Sequence, residues 1–231
     1  MCRVRLLTTF VSLSLLAVVV GCARGARPLA ELPAHDLDLS AARPAARTLP
    51  QPRPMYRPGD QGEGEGAWAV RNPRQWRYIV VHHSATDDGN AETFDAYHRR
   101  RGWEGLGYHF VIDNGRGGPD GRIEVGPRWR AQKCGAHTGG TPGNEYNEYG
   151  IGICLVGDFT KTGPSSAQLS SLRRLVSYLA SEYHIPPERI IGHCDAPNAT
   201  TRCPGTALHG YISGTLREYV RSRYALGSPT R

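Results

Sequence analysis

Arg77-Tyr78-Ile79-Val80-Val81-His82-His83 is the stretch on which the fold turns. Its β-branched residues run on with little polar interruption, as in a strand buried on both faces of a sheet that helices cover. The run ends in two imidazoles, placed where a central strand delivers side chains to a cleft. Successive side chains alternate faces, so only one of His82 and His83 can enter such a site.

The segments around this strand read as one α/β domain, a single mixed β-sheet flanked by helices. Downstream, residues 92–101 suit a short helix with Phe94 and Tyr97 on one side, and residues 108–113 suit a second strand. The glycine cluster at 115–121 is a turn, and Arg122-Ile123-Glu124-Val125 alternates, which predicts a hairpin. Residues 134–144 form a long glycine-rich loop, and 150–156 another central strand. Leu169, Leu172, Val176, Leu179 and Tyr183 recur at helical spacing, with Ser165 or Ser166 as the N-cap and Pro186-Pro187 as the stop. Residues 189–192 read as a short strand. A last helix is expected over 207–224, with Leu208, Ile212, Leu216 and Val220 on one face.

Outside this region the composition changes. Arg3 and Arg5 precede an apolar segment at 6–20 that is short for a spanning helix, so residues 1–21 read as an export signal. Residues 22–67, rich in Pro, Ala, Arg and Gly, have no helical or strand period and read as a disordered tether. The domain is expected at 68–225 and a short tail at 226–231. The formal charge of +7 is scattered: Lys133 and Lys161 are the only lysines, and Arg99-Arg100-Arg101 is the one run of arginines. No nucleic-acid motif surrounds that run, so a nucleic-acid partner is not expected. A monomer is.

The chemistry is concentrated in Gly192-His193-Cys194-Asp195-Ala196-Pro197-Asn198-Ala199-Thr200-Thr201-Arg202-Cys203-Pro204-Gly205. A histidine and a cysteine flank one proline-bearing loop, and the end of the first strand offers a second imidazole. Zinc takes imidazole nitrogen at about 2.0–2.1 Å and thiolate at about 2.3 Å, and three protein ligands with one open position mark a catalytic site. His98, His109, His184 and His209 lack such company and read as surface or core histidines. Export permits disulfides, and two would use Cys134, Cys154, Cys194 and Cys203; against this, Cys154 lies in the apolar alternation of 151–156 and reads as core.

Five stretches resemble one family in order: Val81-His82-His83-Ser84-Ala85; Arg101-Gly102-Trp103 with Leu106-Gly107-Tyr108-His109-Phe110; Gly135-Ala136-His137-Thr138-Gly139; Gly150-Ile151-Gly152-Ile153; and Gly192-His193 with Cys203-Pro204-Gly205. The family comprises the zinc amidases that cut between N-acetylmuramic acid and L-alanine, the peptidoglycan recognition proteins and the amidase-type phage lysozymes. The resemblance implies a Zn2+ site of His82, His193 and Cys203. It also implies that Tyr108 stands beside the reacting water to orient it and stabilise the oxyanion. Thr201 occupies the position where phage-type enzymes carry a lysine and amidase-active recognition proteins a threonine. His137 and Asn147 fall in loops that grip muramyl peptide. The loop from His193 to Cys203 is longer than the family's usual spacing, with the added length near 198–200; if it bulges outward the ligand geometry survives, and otherwise Cys203 is displaced.

Val19-Val20-Gly21-Cys22 resembles the lipobox of bacterial lipoproteins, which implies lipidation at Cys22 and a membrane-anchored domain in the cell envelope, outside the cytoplasm. The implied activity is that of an N-acetylmuramoyl-L-alanine amidase acting on peptidoglycan. The alternatives are a recognition domain that binds muramyl peptide without cutting it, and a metal-free scaffold in which Cys194 and Cys203 are oxidised. Non-catalytic relatives typically lose the ligand cysteine, and this chain keeps Cys203.

Overall fold

The computed structural model describes residues 65–227; the expected signal, the lipidation site at Cys22 and most of the tether lie outside them. In chain order the elements are β1 (Tyr78–His83), α1 (Ala91–Arg100), β2 (Phe110–Ile112), β3 (Ile123–Val125), α2 (Pro127–Arg130), α3 (Glu145–Glu148), β4 (Gly150–Leu155), α4 (Ser166–Glu182), β5 (Ile190–Gly192), α5 (Thr206–Tyr211) and α6 (Arg217–Gly227). The strands form one five-stranded sheet in the order β3-β2-β4-β1-β5. β1 runs parallel to both β4 and β5, β2 runs parallel to β4, and the β2–β3 hairpin supplies the antiparallel pair that makes the sheet mixed.

Alternation along the strands sorts the side chains into two layers. Ile79, Val81, Phe110, Ile112, Ile151, Ile153 and Leu155 face the larger core, where Leu172, Leu175, Val176 and Leu179 of α4 and Leu208, Ile212, Leu216 and Val220 of the C-terminal helices cover them. The other face carries Val111, Cys154 and Val156, against which Ala91 and Phe94 of α1 pack together with Leu106. Trp68 is buried in the larger core beside Tyr178, and its carbonyl accepts the indole N–H of Trp129 at 3.0 Å. Ala67, just ahead of the expected domain boundary, packs on that core too.

Helix ends follow from short polar side chains. Asn90 caps α1 by accepting the Thr93 N–H at 2.8 Å, and Ser165 caps α4 in a reciprocal box with Gln168, which selects it over Ser166. Such caps contribute about 1 kcal/mol each. The single helix expected over 207–224 is instead α5 and α6 joined by a wider π turn at Ile212–Leu216, and α6 runs to Gly227, into the expected tail. The reason lies in the spacing. Leu208, Ile212, Leu216 and Val220 repeat every fourth residue and are all buried, whereas an α-helix turns every 3.6, so an unbroken helix would rotate the last of them out of the core.

Candidate metal centre

His82 and His83 end β1 on opposite faces. His83 lies on the larger-core side, where its Nδ1 accepts the Phe159 N–H at 3.2 Å, while His82 enters the other layer, 1% exposed. β5 ends at Gly192, and the chain turns at once through a 3-10 turn, His193–Asp195. The loop that follows closes on itself: the Cys194 N–H donates to the Cys203 carbonyl at 2.8 Å. The Cys203 sulfur thereby returns to β1, accepting the His83 N–H at 3.4 Å and lying 3.6 Å from His82 Nδ1. Ligand atoms of His82, His193 and Cys203 all fall within 4.8 Å of one another.

Burial decides the charge states. Desolvation lowers the His193 pKa to about 4 and that of His82 well below the usual imidazole value, with neighbouring imidazoles adding to the His82 shift. Both rings are therefore neutral near pH 7, the form in which imidazole is a ligand. Burial raises the Cys203 thiol to about 12, so an incoming cation must displace its proton. Two neutral imidazoles and one thiol within reach of a common point form a donor set that suits zinc.

The second nitrogen of His82 is also spoken for. Nε2 lies 3.0 Å from His137 Nδ1, and His137 Nε2 lies 3.3 Å from the Gly150 carbonyl. With a proton on each Nε2, His82 donates to His137 and His137 donates to Gly150, which leaves the His82 Nδ1 lone pair aimed towards Cys203. The His137 ring occupies this place because Gly152 lacks a side chain; a Cβ there would overlap the ring. Asn147 fixes the same loop. Its Oδ1 accepts the N–H groups of His137 and Thr138, at 2.8 and 3.0 Å, and its Nδ2 donates to the Thr138 carbonyl and to Asn144 Oδ1, each at 2.7 Å. The expectation that His137 and Asn147 grip a ligand thus meets side chains that are buried and whose polar atoms are engaged inside the protein.

Tyr108 is half-buried with its ring centroid 5.3 Å from that of His82. Burial, the neighbouring Cys154 and Cys203, and a hydrogen bond with Cys154 raise its pKa well above 10, so the phenol keeps its proton and acts as a donor. Thr201 Oγ1 accepts the Cys203 N–H at 3.1 Å and keeps its own hydrogen to donate. Cys134, Cys154, Cys194 and Cys203 are all free thiols, so neither the two-disulfide arrangement nor a Cys194–Cys203 bond is formed.

Two groupings escaped the sequence. Asp113 is fully buried, and the carboxyl beside its own is that of Glu124. Burial, then the adjacent Glu124, raises its pKa to about 8. Its proton keeps two buried carboxyls from charging together. His209, without metal-binding company in the sequence, acquires it in space beside Cys194 and Asp195.

The family model for N-acetylmuramoyl-L-alanine amidase matches residues 72–206, more than half of the chain. The chain belongs to this amidase family. Peptidoglycan-recognition protein LE of Drosophila melanogaster is 30% identical over 146 residues, covering 59% of this chain and 38% of that protein. Peptidoglycan recognition protein 1 of Bos indicus is 32% identical over 146 residues, 59% of this chain and 70% of its own. Among solved structures, the endolysin amidase LysCS of Clostridium intestinale superposes with a TM-score of 0.52 at 30% identity, covering 62% of this chain and 84% of that one. The chain spans 38%, 65% and 39% of three curated relatives from insects and human. Family members named as amidases and members named as recognition proteins both occur among these relatives.

Proposed function

We propose that this chain is a zinc-dependent N-acetylmuramoyl-L-alanine amidase that hydrolyses the amide between the muramic acid lactyl group and the L-alanine of the peptidoglycan stem peptide. The convergence of His82, His193 and Cys203 carries the proposal. Zinc held by these three would supply a Lewis acid for the amide carbonyl and lower the pKa of a water towards about 7. His137 holds the His82 ring in the tautomer that presents Nδ1. Tyr108, protonated at neutral pH, donates a hydrogen bond to the carbonyl oxygen as negative charge grows on it, and the Thr201 hydroxyl is a second donor. Such donors act on the transition state more than on the bound amide, and so raise turnover.

The partners in this reading are peptidoglycan and muramyl peptides. The envelope location, the Cys22 lipid anchor and the monomeric state belong to the same proposal and rest on sequence alone. The recognition reading draws on the relatives named as recognition proteins, and Cys203 argues against it. Incubating the full chain with purified peptidoglycan, with and without chelator, separates the two. Release of stem-peptide amines and muramic acid ends, abolished by chelator and restored by zinc, supports the amidase; co-sedimentation without release selects the recognition domain.

A further inference from the structure

The 3-10 turn His193–Asp195 carries two sets of side chains. At three residues per turn, neighbours point about 120° apart, so His193 faces the cleft while Cys194 and Asp195 face away from it. On that outer side they meet His209 of α5. One ligand atom from each of Cys194, Asp195 and His209 lies within 4.8 Å of the others, a cluster separate from the one that uses Cys203.

We propose that Cys194, Asp195 and His209 form a second metal site for a zinc-class divalent cation. The donor set, one thiol, one carboxylate and one imidazole, selects borderline cations such as Zn2+, Co2+ and Cd2+ over Ca2+ or Mg2+, which take oxygen ligands. The donors sit on fixed backbone. Asp195 Oδ2 accepts the Gly192 N–H at 2.9 Å, the Cys194 N–H is tied to Cys203, and the His209 N–H is bonded to the Gly205 carbonyl at 2.9 Å. Asp195 Oδ1 remains aimed at His209 Nε2, 2.8 Å away. An ion at about 2.0–2.1 Å from each needs those two atoms to part by only about half an ångström. The His209 and Asp195 side chains are 35% and 31% exposed, which gives an ion access from solvent and leaves room for water as the fourth ligand. Binding displaces the thiol proton and the hydrogen between oxygen and nitrogen, and the bound neutral imidazole carries its one proton on Nδ1. Occupation ties α5 to the turn that presents His193. The site stands independently of the amidase reading.

Metal counting on the reduced, chelator-stripped full chain tests it. After equilibration with Zn2+, and separately with Cd2+, the wild-type chain is expected to hold two equivalents. Cys194→Ser and His209→Gln are each expected to hold one, while Cys134→Ser holds two. The thiolate-to-cadmium ultraviolet band should fall by half in Cys194→Ser. The equivalent that Cys194→Ser and His209→Gln retain reports that they are folded. A single wild-type equivalent that Cys194→Ser leaves in place, or two equivalents in either of those variants, overturns the second site and leaves only a hydrogen-bonded clamp. Cys203→Ser reads the other cluster: one remaining equivalent, lost on adding Cys194→Ser, supports both sites. An undiminished count in Cys203→Ser sinks the amidase reading without touching this one.

Discussion

On β4, Ile151, Ile153 and Leu155 point to one face of the sheet, while Gly150, Gly152 and Cys154 point to the other. The first set meets aliphatic side chains from α4 and the C-terminal helices, and its stabilisation scales with the apolar area removed from water. The second set makes room. Where Gly152 gives up a side chain, the His137 ring enters and meets His82, and Cys154 meets Tyr108. The same six residues therefore supply cohesion on one side and room for polar side chains on the other, and damage to each side should register in a different measurement.

Cys203→Ser gives the largest expected effect. Amidase activity should fall at least about a thousandfold, some 4 kcal/mol of transition-state stabilisation, while the unfolding temperature of the chelator-treated protein hardly moves. A large loss of stability in the metal-free state would mean that the two sides are not separable. Ile153→Ala, on the apolar side, is expected to cost about 3 kcal/mol in denaturant unfolding, as a cavity between β4 and the covering helices. Zinc bound per folded molecule should stay unchanged. Gly152→Ala is the one substitution expected to show in both measurements. The new methyl overlaps the His137 ring, costs about 2 kcal/mol, and weakens metal retention by letting His82 turn. If stability falls while zinc affinity holds, His137 does not orient His82.

The smallest effect concerns Asp113 and Glu124. The Asp113 pKa stands at about 8 in the folded chain against 3.8 for an ordinary aspartate. Between these values the folded form keeps a proton that the unfolded form has released, so stability is greatest below about pH 4 from this group and falls as pH climbs through about 8. Asp113→Asn removes that slope. The stability difference between about pH 7 and about pH 9 should shrink by on the order of 1 kcal/mol, read from urea midpoints. An unchanged slope would mean that the carboxyl ionises without penalty and that the site face has no second buried polar pair.

Much of this is legible in the sequence. The β-branched run at 79–81 gives β1, the leucine spacing gives α4, and the Ser-x-x-Gln pattern gives its cap, because each depends on a few neighbouring residues. The metal cluster was legible as residue types at either end of a loop and a strand. The four-residue spacing of Leu208, Ile212, Leu216 and Val220 predicts a helix, and its departure from 3.6 is the signal of the π turn. The part played by His137 is not legible, since it depends on which strand residue lies beneath its ring. Gly150 and Gly152 alternating in a buried strand were the available signal, as glycine there marks a close approach. Nothing in the chain around Asp113 announces Glu124 as its neighbour, or places His209 beside Cys194; those meetings arise from sheet register and helix docking.

The single backbone bond from Cys194 to Cys203 makes the loop between them a pendant hung from a fixed neck. Its lower end carries Asn198 in a left-handed turn at φ 64°, with Asn198 and Thr200 exposed. Extra residues there need not move the knot above. Length has been uncoupled from geometry, and the tip offers a place to graft an epitope or a fluorophore a short way from the cleft without rewriting the cleft itself.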